Sequence, residues 1–242
     1  MVLPIYLAMT ASEIRLCNHM PNHCSYMACH FSSYGRGLTN IPQQLPENSL
    51  LILNDRISPQ WHDPMLVSYQ LADAVNRLQP AGLLLDMQRP FDTLTGEIVL
   101  AIAETVSCPK AVTLTYLENW NDAVLLSPVP PHILPEEYLR PWKGRDIWLE
   151  IDNMGVKLEL GEKGCNISPL DTFTQELKHY DEKLCCHYNV ELQDNLAVFS
   201  LQRSFQDTQN LLLKAVDAGV TLAIGLYQQW QEQLVLFEKG AS

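Results

Sequence analysis

Two polar side chains, Asp86 and Gln88, end an apolar stretch at residues 80–90, whose sequence is PAGLLLDMQRP. Residues two apart in a strand point to one face, so Leu84, Asp86 and Gln88 should share a side, and the intervening residues should face a covering layer. A carboxylate can transfer a proton or orient a substrate, whereas an amide forms hydrogen bonds without a titratable proton. A strand buried on both faces, with polar groups only at its carboxyl end, is typical of an α/β barrel that presents an active site there.

Further polar side chains follow other apolar runs of the chain. They are Asn54, Asp55 and Arg56, then Tyr116 and Glu118, then Glu150 and Asp152. Within each of the last two pairs, the side chains would share a strand face. Glu118 or Glu150 could act with Asp86 as an acid/base pair of carboxylates. The alternative is that these residues cap loops or form ion pairs with arginines, namely Arg56, Arg89 and Arg145.

Aromatic and amide side chains could stack on a sugar ring and form hydrogen bonds with it. Such residues near the end of the chain are Tyr227, Gln228, Gln229 and Trp230, and in loops Trp61, Trp120 and Trp142. The alternative is that the aromatic rings simply pack in the core. We retain as ligand-binding candidates Asp55, Arg56, Arg89, Tyr116, Asp152, Tyr227 and Gln228.

The densest group of cysteines and histidines comprises Cys17, His19, His23, Cys24, Cys29 and His30. Thiolates and imidazoles bind zinc, but the spacing matches no zinc ribbon or Cys₂His₂ pattern. Neighbours in a strand also point apart, which weakens a shared site at Cys29 and His30 and a nucleophile at Cys185-Cys186-His187. The phosphate-loop, dinucleotide, Gly-x-Ser-x-Gly and His-Glu-x-x-His motifs are absent. We therefore predict no metal and no cofactor.

Eight short apolar runs recur between helical or loop segments, and we interpret them as the strands that position these side chains. They are Leu3–Met9, Tyr26–Phe31, Ser49–Leu53, Gly82–Met87, Ala111–Leu117, Ala123–Ser127, Ile147–Ile151 and Val220–Leu226. Strands that alternate with helical patterns indicate parallel β-α-β units. The sequence therefore predicts an α/β fold, a TIM-type (β/α)₈ barrel.

Three helices should connect these strands. Asp63 can cap the first, and Pro64 stands at its first position. The residues expected on the buried face of this helix are Leu66, Leu71, Val75 and Leu78. A second helix is predicted at Thr95–Val106, and a third near Thr208–Ala218 that ends at Gly219.

The alternation of strand and helix patterns is interrupted between Met154 and Phe199. The pattern there indicates a small α+β insertion around residues 154–200, before the last strand. Its predicted elements are a strand at Val156–Leu160, a turn at 161–164, a helix at Phe173–Lys183, and strands at Tyr188–Leu192 and Ala197–Leu201 around a hairpin turn at 193–195. We expect residues 1–242 to form a single barrel domain that contains this insertion.

Charge and composition exclude several classes of protein. The net charge of −12 offers no basic stripe for nucleic acid and disfavours anionic membranes. No apolar run reaches the length of a membrane span. The run Val2–Met9 lacks a basic lead, so it predicts a first strand rather than a signal peptide. Seven cysteines, two of them adjacent, indicate a reduced protein, and we expect it to be cytoplasmic.

Residues 81–90 resemble the signature of family-18 glycoside hydrolases, the chitinase-like barrels. That signature is Asp-Gly-x-Asp-x-Asp-x-Glu, commonly followed by Tyr-Pro, and Gly82, Asp86 and Pro90 match it. Gln88 stands at the position of the family's glutamate, and two aspartates are replaced, by Ala81 and Leu84. The family's tyrosine after its sixth strand has no clear counterpart in residues 125–128.

The resemblance implies a role for each signature position. The family's terminal glutamate protonates the glycosidic oxygen, and its aspartate, here Asp86, orients the N-acetyl group whose carbonyl attacks the anomeric carbon. Gln88 has no proton to deliver, and loss of a general acid costs on the order of 10²–10⁴ in rate. We therefore expect a catalytically impaired relative that binds a GlcNAc-containing oligosaccharide or peptidoglycan fragment, or serves as an interaction scaffold. The alternative is an active glycoside hydrolase of altered mechanism that uses Asp86 with Glu118 or Glu150.

Overall fold

The computed structural model describes residues 3–17, 20–35, 37–162, 164–170, 177–193 and 195–231. The strands are β1 (Ile5–Met9), β2 (Cys24–Phe31), β3 (Leu38–Thr39), β4 (Leu50–Asn54), β5 (Gly82–Asp86), β6 (Lys110–Thr113), β7 (Ala123–Leu126), β8 (Ile147–Ile151), β9 (Val156–Gly161), β10 (Gly164–Pro169), β11 (His179–Asp181), β12 (Cys186–Gln193), β13 (Leu196–Gln202) and β14 (Val220–Leu226). The α-helices are α1 (Ala11–Leu16), α2 (Pro64–Leu78), α3 (Thr93–Thr105), α4 (Pro135–Leu139), α5 (Phe205–Val216) and α6 (Tyr227–Trp230).

Eight parallel strands close into a barrel in the order β1, β2, β4, β5, β6, β7, β8 and β14, and β14 pairs with β1. The short strand β3 adds to β2 in the antiparallel direction. Each of the eight predicted runs supplies one barrel strand, so the predicted TIM-type (β/α)₈ fold is confirmed. Polar residues at the carboxyl ends of these strands therefore converge on one end of the barrel, which we call the mouth.

The strand β5 shows how the apolar pattern divides between two layers. Leu84 points into the barrel and belongs to the cluster of side chains that fills its interior. Leu83, Leu85 and Met87 belong to a separate cluster between the barrel and helices α2 and α3. The predicted assignment of faces is confirmed, and it directs Asp86 toward the mouth.

Gly82, at the start of β5, lies against the large side chain of Trp148 on β8. A Cβ atom at position 82 would lie 2.8 Å from Cη2 of Trp148 and 3.1 Å from the carbonyl oxygen of Pro109. Real Cβ atoms do not approach other heavy atoms so closely, so a side chain at position 82 would displace the tryptophan. The indole of Trp148 fills the barrel interior below the mouth because position 82 is a glycine.

The helices begin where their caps predict, with small shifts. Asp63 accepts a hydrogen bond from the backbone amide of Leu66 at 3.0 Å, and Pro64 opens α2. Leu66 was predicted on the buried face but is 41% exposed, because the core contacts of this helix begin one residue later, at Val67. Helix α3 starts before the predicted Thr95, since Asp92 caps it. Helix α5 likewise starts before Thr208, through a capping box of Ser204 and Asp207.

A second, antiparallel sheet lies in the chain between β8 and α5, with strand order β10, β9, β13, β12, β11. It contains the three strands predicted for residues 154–200 and the hairpin predicted around 193–195, and it adds β10, which was not predicted, after the predicted turn at 161–164. Lys163 and Asp194, in the two turns, lie outside the described residues. The helix predicted at Phe173–Lys183 begins within residues 171–176, which are also outside them. The described remainder contains β11 and a turn. The division into domains stays a prediction.

Arg203 joins this second sheet to the barrel. It is buried, and its guanidinium donates hydrogen bonds to the carbonyl oxygens of Val129, which follows β7, and of Leu184 and Cys185, which precede β12. None of the described helices combines the length and apolarity needed to cross a bilayer.

Candidate functional site

Asp86 and Gln88 form a directly bonded pair at the mouth. The side-chain amide of Gln88 donates a hydrogen bond from Nε2 to Oδ1 of Asp86 at 2.6 Å. Asp86 is half-buried and Gln88 is exposed. Burial raises the pKa of Asp86, and the nearby charge of Asp55 raises it further, while the hydrogen bond from Gln88 opposes both. The pair therefore combines a carboxyl group whose pKa is raised with an amide that holds this carboxyl group in position.

Asp55 fixes the turn that carries Gln88. It follows β4, is only 3% exposed, and uses both carboxylate oxygens on backbone amides. Oδ1 accepts from the amide of Gln88 and Oδ2 from the amide of Arg89, each at 2.9 Å. Two charge-assisted hydrogen bonds make this carboxylate a support for the turn after β5.

Glu150 and Asp152 bring two more carboxyl groups to the mouth from the end of β8. Below them, Trp148 points into the barrel interior, so Glu150 follows the same face upward. Burial raises the pKa of Glu150 to about 7, with further contributions from the charges of Asp86 and Asp152. The charge of Asp86 contributes to the raised pKa of Glu150, and both residues stand at the carboxyl ends of barrel strands, β5 and β8. Near neutral pH Glu150 can therefore hold or release a proton.

Asp152 is also half-buried, and burial raises its pKa, although the backbone amide of Met154 and the charge of Arg203 partly compensate. Oδ1 of Asp152 accepts from that amide at 3.3 Å. The charge of Asp152 adds to the raised pKa of Glu150, while the common face of the two side chains stays a prediction because β8 ends at Ile151.

Tyr138, on α4, lies near the mouth and was not among the residues predicted from the sequence. Its hydroxyl donates a hydrogen bond to the carbonyl oxygen of Ser127 at 3.0 Å, directly after β7, the sixth barrel strand. Burial raises the pKa of this hydroxyl, and the charge of Glu150 adds to the effect. A tyrosine thus reaches the end of the sixth barrel strand from a later helix. No local pattern near residues 125–128 could have indicated it.

A cleft of about 550 Å³ opens beside Asp86. We call it the Asp86 cleft, and the lining residues that bear on function are Arg15, His30, Asn54, Arg56, Asp86 and Gln88. Arg15 comes from α1 and was not predicted. Asn54 holds its own side chain by donating from Nδ2 to the carbonyl oxygen of Met27 at 2.9 Å.

Tyr227 and Gln228 hold α1 in place beside this cleft. The Tyr227 hydroxyl lies 3.4 Å from Sγ of Cys17, and this hydrogen bond is the main cause that raises the pKa of Tyr227 to about 12. Nε2 of Gln228 donates to Oε1 of Glu13 at 3.0 Å. Both residues therefore position the helix that bears Arg15.

Tyr116 and Glu118 do not share a strand face, and that prediction is wrong. Strand β6 ends at Thr113, and a 3₁₀ turn covers residues 114–116. Tyr116 is buried on the helix side, where its hydroxyl accepts from the amide of Asp92 at 3.2 Å and its ring stacks on Phe91. Glu118 is exposed on the following turn. The fifth barrel strand, β6, therefore ends before both residues.

The tryptophans differ in their availability to a ligand. Trp120 is buried and donates from Nε1 to the carbonyl oxygen of Ala123 at 2.8 Å, and Trp230 is buried in the core beside Phe205. Trp61 is 81% exposed and lines a second cleft of about 570 Å³ together with Tyr34 and Arg89. Sugar stacking is therefore open to Trp61 and closed to Trp120 and Trp230.

The cysteines near the N-terminus are not arranged as a metal site. The described residues contain no group of three or more histidines, cysteines or acidic residues suited to a metal ion, and His19 lies outside them. Cys29 is buried in the core, and burial raises the pKa of its thiol to about 12. Burial likewise raises the thiol pKa of Cys186 to about 12, while His187 pairs with Asp207 at 2.7 Å. Neither thiol is a nucleophile at neutral pH.

Comparison with known proteins supports the fold. No family model and no protein of curated function matches the sequence. Solved structures that are similar to the chain include the three described next. The spore cortex-lytic enzyme SleL of Bacillus cereus has a TM-score of 0.55 and 9% identity, over 96% of this chain and 74% of that one.

The second is a chitinase from Chromobacterium violaceum, with a TM-score of 0.51 and 8% identity over 92% of this chain and 93% of that one. The third is a mutant GH18 chitinase from Cycas revoluta in complex with (GlcNAc)₄, with a TM-score of 0.52 and 12% identity over 96% and 97%. At such identities the likeness shows the fold alone, a TIM-type barrel of the kind found in GH18 chitinases.

Proposed function

We propose that this chain is a family-18-like barrel that binds a GlcNAc-containing glycan at its mouth and is impaired in hydrolysis. The observation that carries the proposal is the 2.6 Å hydrogen bond from Gln88 to Asp86 at the end of the fourth barrel strand. It puts an amide where the resemblance expects the proton donor and keeps the neighbouring carboxylate. The complex of a similar barrel with (GlcNAc)₄ supports this choice of ligand.

The chemistry of the pair agrees with binding better than with turnover. One hydrogen of the Gln88 amide is used by Asp86, which leaves the second hydrogen and the carbonyl oxygen for a ligand. Asp86 can accept a hydrogen bond from an N-acetyl group, as the resemblance implies. No proton can pass from Gln88 to a leaving oxygen, so hydrolysis through this position should be slower by about 10²–10⁴.

A second candidate is an active glycoside hydrolase in which Glu150 supplies the proton. The observation that favours it is the pKa of Glu150, which burial and the charge of Asp86 raise to about 7. A carboxyl group with that pKa is suited to donate a proton near neutral pH, as general acids in glycoside hydrolases do. Glu118 is a weaker choice because it is exposed on a turn.

The test measures binding of (GlcNAc)₄ by calorimetry and its hydrolysis by product analysis. The variants are Asp86→Asn, Gln88→Glu and Glu150→Gln. Asp73→Asn, on the exposed face of α2, is the control that removes one carboxylate far from the mouth.

We expect the wild type to bind without appreciable turnover, Asp86→Asn to bind at least tenfold more weakly, and the control to match the wild type. Turnover that appears only in Gln88→Glu would support a degenerate acid. Wild-type turnover that disappears in Glu150→Gln would establish the second candidate instead. Absence of binding by the wild type would refute both and leave an interaction scaffold.

A further inference from the structure

The Asp86 cleft contains two arginines that form no ion pair with any residue that the structure describes. Arg15, on α1, and Arg56, after β4, are both exposed side chains that line this cleft. The ion pairs found among the described residues are Lys110–Asp122, Lys157–Glu159 and His187–Asp207, and no arginine takes part. Arg15 donates a hydrogen bond from Nε to the carbonyl oxygen of Ala11, and this bond does not use the two terminal nitrogens of its guanidinium.

Among the described residues, the acidic groups of the cleft form no ion pair with these arginines and are held by amide donors instead. Asp55 uses both oxygens on backbone amides, and Asp86 accepts the amide of Gln88. The ring of His30 is engaged within the protein, since Nδ1 lies 2.8 Å from the carbonyl oxygen of Phe31 and Nε2 lies 3.2 Å from Nδ2 of Asn40. Two permanent positive charges therefore remain in the cleft.

Unpaired arginines are unexpected on a surface with this charge balance. The chain has 28 aspartates and glutamates against 16 lysines and arginines, so an exposed arginine has many acidic groups from which to take a partner. Two of them instead line one cleft, next to the residue that the proposed function assigns to the N-acetyl sugar. The planar guanidinium fork fits a carboxylate with two parallel hydrogen bonds.

We propose that the Asp86 cleft binds the carboxylate of an acidic sugar, held by Arg15 and Arg56 beside the N-acetyl sugar at Asp86 and Gln88. This inference rests on the proposed function and narrows its ligand from neutral N-acetylglucosamine polymers to glycans with a carboxyl substituent. The net negative charge of the protein repels such a ligand, and the positive charges of Arg15 and Arg56 together offset that repulsion within the cleft.

The experiment compares three ligands by calorimetry. The first is the disaccharide of N-acetylglucosamine and N-acetylmuramic acid, and the second is the same disaccharide with its lactyl carboxylate converted to an amide. The third is (GlcNAc)₄, which tests the proposed function independently. The variants are Arg15→Gln and Arg56→Gln. The control, Arg140→Gln, removes an exposed arginine that lines a separate cleft together with Asp217 and Ala218.

We expect the wild type to prefer the acid over its amide by about tenfold or more. Each cleft variant should lose most of that preference, measured as the ratio of its affinities for the acid and for the amide. Raising the salt concentration from about 0.05 to 0.5 M should reduce the preference in the wild type, because exposed charges are screened. The control should behave as the wild type.

Equal wild-type affinity for acid and amide would overturn the inference, and binding of (GlcNAc)₄ in the same experiment would leave the proposed function intact. A preference that survives in both cleft variants would also overturn it. If none of the three ligands binds, the proposed function fails and the inference fails with it.

Discussion

The two sides of the barrel mouth hold their carboxyl groups in different ways. On the β5 side, Asp86 and Asp55 accept hydrogen bonds from an amide side chain and from two backbone amides. On the β8 side, Glu150 has a neighbouring negative charge in Asp86 and another in Asp152, and its pKa rises to about 7. Hydrogen-bond donors fix the positions of Asp86 and Asp55, whereas burial and the repulsion of nearby carboxylates keep a proton on Glu150. One side is therefore suited to orient a ligand and the other to exchange a proton.

The largest effect should come from Asp55, which supports the β5 side. Asp55→Ala leaves two partly buried backbone amides without their acceptor, and we expect the free energy of unfolding to fall by about 2 to 3 kcal/mol. Asp55→Asn keeps one acceptor and should lose about half as much. Urea denaturation at pH 7 measures both, with Asp73→Ala as the exposed control. A loss no greater than the control's would show that the turn after β5 does not depend on this carboxylate.

The next effect concerns Glu150 and depends on pH. In the unfolded chain Glu150 loses its proton near pH 4.5, whereas the folded protein keeps it until about pH 7. The folded state thus binds more protons in this window, so stability should fall as the pH rises through it. At pH 8, relative to pH 5, Glu150→Gln should gain about 2 kcal/mol of unfolding free energy over the wild type.

Thermal and urea unfolding at pH 5 and pH 8 provide the measurement. Glu118→Gln is the matched control, since it removes an exposed carboxyl group from the turn after β6. The same pH dependence in both variants would mean that Glu150 is not held in a special environment.

A smaller effect should follow from making the β5 side resemble the β8 side. Gln88→Glu puts a second carboxyl group next to Asp86, and two adjacent carboxylates resist simultaneous ionisation. Both pKa values should rise, so the variant should lose about 1 kcal/mol at pH 7 and recover it near pH 4. Gln88→Ala removes the hydrogen bond without adding charge, and its loss should not change with pH. Unfolding free energies at the two pH values distinguish the variants, and a pH-independent loss in Gln88→Glu would contradict the expectation.

The smallest effect should come from Tyr138. Tyr138→Phe removes the hydrogen bond to the carbonyl oxygen of Ser127 and should cost about 0.5 to 1 kcal/mol. Tyr69→Phe, on the exposed face of α2, is the control. A cost at Tyr138 equal to the control's would show that its hydroxyl does not support the end of the sixth barrel strand.

The barrel strands could be predicted because their residues are buried on both faces, which produces short apolar runs. The strands Ile147–Ile151 and Val220–Leu226 have the same bounds in the sequence and in the structure. The run Ala111–Leu117 was predicted too long, because its apolar residues continue while the backbone turns after Thr113. Tyr116 is buried by contact with Phe91 outside the sheet. An apolar residue in the sequence does not show whether it is buried in a strand or outside one.

The candidate site was predicted less completely, because its parts come from distant segments. Asp86 and Glu150 could be proposed since each ends a strand. The support given by Asp55 depends on amides more than thirty positions later in the chain, which only the folded barrel brings near. Arg15 and Tyr138 reach the mouth from helices, and neither ends an apolar run.

The contact between Gly82 and Trp148 has a consequence for how this sequence can change over time. A larger residue at position 82 and the indole at position 148 would occupy the same space, since their atoms would stand 2.8 Å apart. We therefore expect a larger residue at position 82 to destabilise the barrel less when position 148 carries a smaller side chain than tryptophan. The volume of its neighbour on β8 is thus a packing reason for the glycine of the signature-like strand, separate from any role in binding or catalysis.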